Sequence, residues 1–178
     1  MLDEALEVFK QLCDHTFAVE FQVKGKNETK RIEINFEKKQ FYHLAGLHYL
    51  TDIKGLLRGS PQNVFNKLIK DEKLRNIVTR SSHYCEIESR IENIANFQNT
   101  LNRMTEIYKY RRPEWSNIDA DYVIRSRSDG KTSYYFLVCD ITGYYVGNST
   151  INDPRTFVHG KYVNDTIYKR FIPKRNKI

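Results

Sequence analysis

Phe41-Tyr42-His43-Leu44-Ala45-Gly46-Leu47-His48-Tyr49-Leu50 is the stretch on which the reading of the fold turns. Ahead of it, Thr16–Val23 and Lys30–Phe36 read as two strands, joined by the turn formers of Lys24-Gly25-Lys26-Asn27-Glu28. Inside it the period changes. At about 100° per residue, a helix over residues 40–53 would put Leu44, Leu47 and Leu50 in one stripe, with His43 between Leu47 and Leu50. His43 is thereby expected at the margin of a core, partly shielded from water, where an imidazole can give and take protons near neutral pH. A histidine on an apolar stripe also suits a packing role. The same geometry projects His48 about 140° away, so the two imidazoles are not expected to work as a pair, and His43 is expected to matter more. Asp52, one turn on, is placed either to accept from the His48 ring or to form a surface pair. Gly46 costs about 1 kcal/mol relative to Ala inside a helix, which points to a close approach of a backbone or ring, or to a merely tolerated glycine.

Outward from this stretch, Leu2, Ala5, Leu6, Phe9 and Leu12 stand at helical spacing, with Asp3 and Glu4 in the first turn of a helix over residues 3–14. Ser60 and Pro61 mark a helix start as N-cap and first helical residue. Ile87, Ile91, Ile94, Phe97, Leu101, Met104 and Tyr108 predict one long amphipathic helix from Ser82 to Tyr110, with Glu86 and Arg90 as a solvated pair one turn apart. After Arg111-Arg112-Pro113 the period becomes two. Residues 120–127 alternate, with Tyr122 and Ile124 on one side and Arg125 and Arg127 on the other. Ser128-Asp129-Gly130-Lys131 is a hairpin turn leading into residues 132–139, and further strands are expected at 143–150 and 166–172, with Asn152-Asp153-Pro154 between them. The expected class is α+β, with N-terminal and central helices packed on an antiparallel sheet. The chain of 178 residues reads as a single domain over 1–178, with a helical spacer at about 54–118.

A formal charge of +7 and a pI near 9.2 favour an anionic partner, since clustered Lys and Arg gain from counterion release on phosphates. Twelve Tyr and ten Phe offer stacking faces for single-stranded RNA, although much of the Tyr sits in runs where it serves as a strand former. Cys13, Cys85 and Cys139 are odd in number and widely spaced, so neither a disulfide framework nor a zinc site is indicated, and a reducing cytoplasm is expected. The opening Met1-Leu2-Asp3-Glu4-Ala5 does not read as a secretory signal, and no apolar run approaches the ~20 residues that span a bilayer. Phosphate-loop, dinucleotide, serine-elbow and zinc-protease motifs are all missing, and no metal or cofactor is expected.

The run Ile32-Glu33-Ile34-Asn35-Phe36, with His43-Leu44-Ala45-Gly46-Leu47, His48 and Asp52 after it, resembles the signature of a phage-associated family of Barnase-EndoU-colicin-RelE-like nucleases, the fourth of its named subgroups. Ala120-Asp121-Tyr122-Val123-Ile124, Tyr134-Tyr135-Phe136-Leu137 and Tyr144-Tyr145-Val146-Gly147-Asn148-Ser149 resemble its later strands. The resemblance implies a small ribonuclease fold encoded on phages or integrative elements, working without metal, as a toxin or effector. It places His43 at the family's most recurrent polar position and Ser149 at the end of its late strand. The chain departs from the pattern at Ser149-Thr150-Ile151, where a serine followed by aromatic residues is expected, which bears on the pocket rim and nucleotide preference.

Such an enzyme must deprotonate the 2′-hydroxyl, stabilise charge on the phosphorane and protonate the leaving 5′-oxygen, releasing a 2′,3′-cyclic phosphate. The expected catalytic set is His43 as base or acid, Ser149 as donor to a phosphate oxygen, and His48 and Tyr162 as further candidates. Arg125, Lys131 and Arg127 are the expected phosphate ligands, chosen from strand alternation and nearness to turns, and Tyr145 or Tyr162 would stack on a base or donate a proton. RNA is the expected partner, with an immunity protein or antitoxin as a second. The rival reading is a catalytically inert RNA-binding or host-interaction module of the same fold.

Overall fold

The computed structural model describes residues 1–22, 27–97, 99, 106–110, 119–128, 131–139, 145–151 and 164–173. Two compact units partition the chain, one of Met1–Cys13 with Phe36–Gln98 and one of Asp14–Asn35 with Asn99–Ile178. The class is α+β as expected, with the described helices in the first unit and the described strands in the second.

The helical unit contains α1 (Leu2–Cys13), α2 (Gln40–Leu44), α3 (Pro61–Lys70), α4 (Glu72–Thr79) and α5 (Tyr84–Ala95), with 3-10 turns at Leu47–Tyr49 and Thr51–Ile53. Helix α1 buries the face spelled by its apolar spacing, Leu2, Ala5, Leu6, Phe9 and Leu12. Phe9 meets Phe36, Phe41 and Phe65 edge-on at centroid distances of 5.8, 5.3 and 5.8 Å, the arrangement that the ring quadrupole favours. Each such buried side chain contributes roughly 1.5–3 kcal/mol from area alone. Ser60 caps α3 by accepting from the Asn63 N–H at 3.3 Å with Pro61 at the first helical position, as the sequence predicts. Asp71 caps α4 through the Leu74 N–H at 3.1 Å.

The sheet unit holds β1 (His15–Gln22), β2 (Thr29–Asn35), β3 (Glu106–Lys109), β4 (Tyr122–Ser128), β5 (Lys131–Cys139), β6 (Tyr145–Ile151) and β7 (Asn164–Pro173), in the order β3-β4-β5-β6-β2-β1-β7. The ladders are antiparallel except the short one between β2 and β6, which is parallel and joins the N-terminal hairpin to the C-terminal strands. Strand β2 alternates as its sequence demands, burying Ile32 and Ile34. In β4 and β5 the alternation has a different meaning, because Val123 and Ile124 are buried alike, as are Tyr135, Phe136 and Leu137. These strands are covered on both faces, with Val123 and Phe136 packed against Tyr108, Tyr110 and Ala120 on one of them. Of the predicted turns at 24–28, 128–131 and 152–154, residues 24–26, 129–130 and 152–154 lie outside the described residues.

The long helix predicted for Ser82–Tyr110 is overturned: α5 ends at Ala95, capped at Asn96, and Glu106–Lys109 is strand β3. Ile107 pairs with Ile124 and is buried there, and Tyr108 pairs with Val123, so strand partners outweigh the helical spacing that had included Tyr108.

Candidate active site

The continuous helix expected over residues 40–53 is also broken, and the break creates the site. Helix α2 stops at Leu44, and Gly46 takes the left-handed conformation, φ 73° and ψ 23°, where an L side chain is strained. The Gly46 N–H donates to the His43 carbonyl at 3.1 Å, and the Tyr49 N–H donates to the Gly46 carbonyl at 2.9 Å, turning the chain back on itself. The close approach anticipated at Gly46 is present. A Cβ there would stand 2.9 Å from Arg90 Cδ and 3.1 Å from both Ile87 Cγ2 and Tyr49 Cδ2.

The reversal corrects both histidine expectations. His43 is exposed rather than shielded, while Leu44, Leu47 and Leu50 are buried. His48, also exposed, is brought round so that the two imidazole centroids are 5.7 Å apart, tilted by 46°. On an unbroken helix they would diverge; across a glycine turn they converge. Tyr42 lies edge-on to His43 at 5.4 Å and 6.3 Å from His48, and the Tyr49 ring is 4.2 Å from His48. Arg90, half-buried on α5, holds its guanidinium carbon 5.4 Å from the centre of the Tyr49 ring. Partial burial of the His48 ring among these neighbours lowers its pKa from the ordinary 6.5, and the charges of His43 and then Arg90 act in the same direction. The residue keeps an exposed surface, so this burial is a shielding by neighbouring rings and not enclosure in the core.

Asp52 does not serve His48. Its carboxylate accepts from Ser81 Oγ at 2.6 Å, Ser82 N at 3.0 Å and Ser82 Oγ at 3.1 Å, and these bonds hold its pKa below the usual carboxylate range. The carboxylate thereby fastens the Thr51–Ile53 turn to the residues leading into α5. A second tie lies beside it. Thr51 Oγ1 is 3.2 Å from His83 Nε2, and His83 Nδ1 is 2.6 Å from Glu86 Oε1, a contact that raises the His83 pKa. Glu86 is therefore engaged by His83, and the solvated Glu86–Arg90 pair read from the sequence is replaced by two separate contacts.

The other predicted residues belong to the sheet unit. Arg125 is half-buried in β4 with its guanidinium carbon 5.4 Å from the centre of the Tyr108 ring, and it stands opposite Glu106 and Tyr134 in register. Arg127 follows two residues later, opposite Thr132, and Lys131 opens β5 opposite Ser128. Ser149 and Tyr145 lie on β6, opposite Phe136 and Cys139 of β5. Tyr162 lies outside the described residues. The structure thus joins His43 to His48 within the helical unit, and Arg125, Arg127, Lys131, Tyr145 and Ser149 share neighbouring strands of the sheet unit. Sequence reasoning missed Tyr42, Tyr49 and Arg90 as companions of the histidines. The signal that was readable is Gly46, whose unfavourable place in a helical run marks where something comes close.

Among the described residues no three His, Cys, Asp or Glu side chains converge as a metal site would require. No described helix is long and apolar enough to cross a membrane. No curated protein and no solved structure matches the chain. A family model does match, and over its whole length, residues 1–178. The match leaves no part of the chain outside it, and the protein belongs to the phage-Barnase-EndoU-ColicinE5/D-RelE like nuclease 4 family.

Proposed function

We propose that the protein is an endoribonuclease that cuts RNA without a metal ion, with His48 as general base and His43 as general acid. The observation that carries this reading is the approach of the two exposed imidazoles to 5.7 Å. A pair so spaced can flank one phosphodiester. The lowered pKa of His48 favours the neutral ring that a base requires near pH 7. His48 takes the proton of the 2′-hydroxyl as O2′ bonds to phosphorus; the bond from phosphorus to O5′ breaks and His43 protonates the departing oxygen. The product is a 2′,3′-cyclic phosphate and a free 5′-hydroxyl, and proton exchange with water resets both rings.

Arg125, Arg127, Lys131, Tyr145 and Ser149 are the sheet unit's contribution in this proposal, as ligands for phosphates and bases along the RNA, with Tyr162 as a further candidate. The basic balance of the chain supports RNA as the substrate, and a nuclease of this kind in a phage-infected cytoplasm calls for an immunity protein or antitoxin as partner. The deciding experiment is cleavage of mixed RNA in excess EDTA, with the ends of the products analysed. Cleavage that persists and leaves cyclic phosphates is expected. A requirement for added Mg²⁺, or cutting of a substrate with deoxyribose at the cleaved nucleotide, would overturn the mechanism. Salt-sensitive RNA binding with no cleavage would identify an inert binding module instead.

A further inference from the structure

Arg90 enters the histidine site from α5, a helix that contributes no residue to the imidazole pair. We propose that Arg90 is the anion ligand of that pair, binding the non-bridging oxygens of the scissile phosphate. The inference rests on the ribonuclease reading for the identity of the phosphate; the anion site itself stands on the geometry. Three observations carry it.

The first is that the guanidinium is anchored. Its carbon lies 5.4 Å from the centre of the Tyr49 ring, whose other neighbour, His48, is 4.2 Å away, so cation and imidazole are gathered on one ring. A guanidinium carries its N–H groups in a rigid planar fork, the geometry that grips two phosphate oxygens at once. The second is that the chain is shaped to let the side chain pass. Gly46 is left-handed, and any Cβ there would come within 2.9 Å of Arg90 Cδ, so the turn that pairs the histidines is the same turn that admits the arginine. The third is that the charge is not spent. Among the described residues no carboxylate lies within 4.0 Å of the guanidinium nitrogens, and Glu86, one turn earlier on the same helix, is held by His83 at 2.6 Å. A half-buried cation that no carboxylate of the described residues pairs, sharing a tyrosine ring with His48, attracts an anion. Its charge already reaches His48, whose pKa it helps to lower.

In the reaction this guanidinium would meet the negative charge that grows on the phosphorane oxygens, stabilising the transition state more than the ground state. The test uses the full chain as wild type, Arg90→Gln and Arg90→Lys, with inorganic phosphate as probe and the ring C–H proton resonances of His43 and His48 as readout. Phosphate is expected to shift both resonances in the wild type, and the apparent Kd is expected to rise about 10-fold in Arg90→Gln. Arg90→Lys keeps the charge and stem, and is expected to stay within about 3-fold in phosphate binding while losing about 10-fold in kcat through loss of the fork. In RNA cleavage Arg90→Gln should lower kcat by about 10²-fold with a smaller change in KM. Phosphate shifts of equal strength in wild type and Arg90→Gln would overturn the proposal. Should Arg90→Gln fail to fold, wild-type kcat in Arg90→Lys would overturn it equally. Arg90-dependent phosphate binding in a wild-type protein that cuts no RNA would retain the anion site and remove the ribonuclease reading.

Discussion

Arg90 in the helical unit and Arg125 in the sheet unit each hold the guanidinium carbon 5.4 Å from the centre of a tyrosine ring, yet the two are differently surrounded. Around Arg90 stand the Tyr49 ring, with His48 as that ring's neighbour, and a glycine turn. Around Arg125 stand the buried Val123 and Ile124 of its own strand, and the residues opposite it in the ladders, Glu106 and Tyr134. A tyrosine ring lies within cation–π range of the guanidinium in both places. What differs is the setting: Arg90 shares its tyrosine ring with an imidazole, whereas Arg125 is set within the ladders of a strand.

The sharpest way to break the comparison is to remove the proton chemistry from the helical unit. His43→Asn is expected to lower cleavage by about 10²-fold or more with folding and RNA binding retained, and His48→Asn is expected to match it, because acid and base are both required. The acid limb of the kcat/KM profile should lie below pH 6.5, with activity rising as His48 loses its proton, and in the residual activity of His43→Asn it should move upward because one positive neighbour is gone. Wild-type rates in both variants, in a purified RNA cleavage assay, would move the reacting centre out of the helical unit.

A smaller effect is expected from Gly46→Ala. The left-handed backbone and the 2.9 Å approach to Arg90 Cδ both penalise a Cβ, so thermal unfolding should report a loss of about 1–2 kcal/mol from the backbone alone. Cleavage should fall further than the stability loss explains, since the imidazole pair and Arg90 meet at this turn. A variant that melts early but cleaves normally while folded would show that the turn supports packing and nothing more.

Arg125→Gln should have the mildest consequence and mark the contrast most cleanly. Loss of the contact with Tyr108 is expected to reduce stability by about 1 kcal/mol. In its proposed role as a phosphate ligand, Arg125 is expected to raise KM a few-fold when replaced, with kcat held, and to weaken the salt dependence of binding. A fall in kcat like that expected for Arg90→Gln would erase the distinction between the two arginines.

Local pattern was enough for much of the architecture. The spacing of Leu2, Ala5, Leu6, Phe9 and Leu12 predicts α1, Ser60-Pro61 predicts the start of α3, and alternation predicts β1, β2, β4 and β5 to within a few residues. Each of these depends on neighbours one or two turns away, which is the range over which side-chain periodicity carries information. The same spacing put Leu44, Leu47 and Leu50 in the core and singled out Gly46 and His43. Tertiary structure decided the rest. Ile107 became strand because its partner is Ile124, and Asp52 turned from His48 to Ser81 and Ser82, 29 and 30 positions along the chain. His43 and His48 were brought together by one left-handed residue, and Arg90 joined them from another helix. A positive φ reverses the direction in which every later side chain points, and a contact between distant segments leaves no trace in the spacing of either, so the residues of the site are legible one by one in the sequence while their meeting is a property of the folded chain.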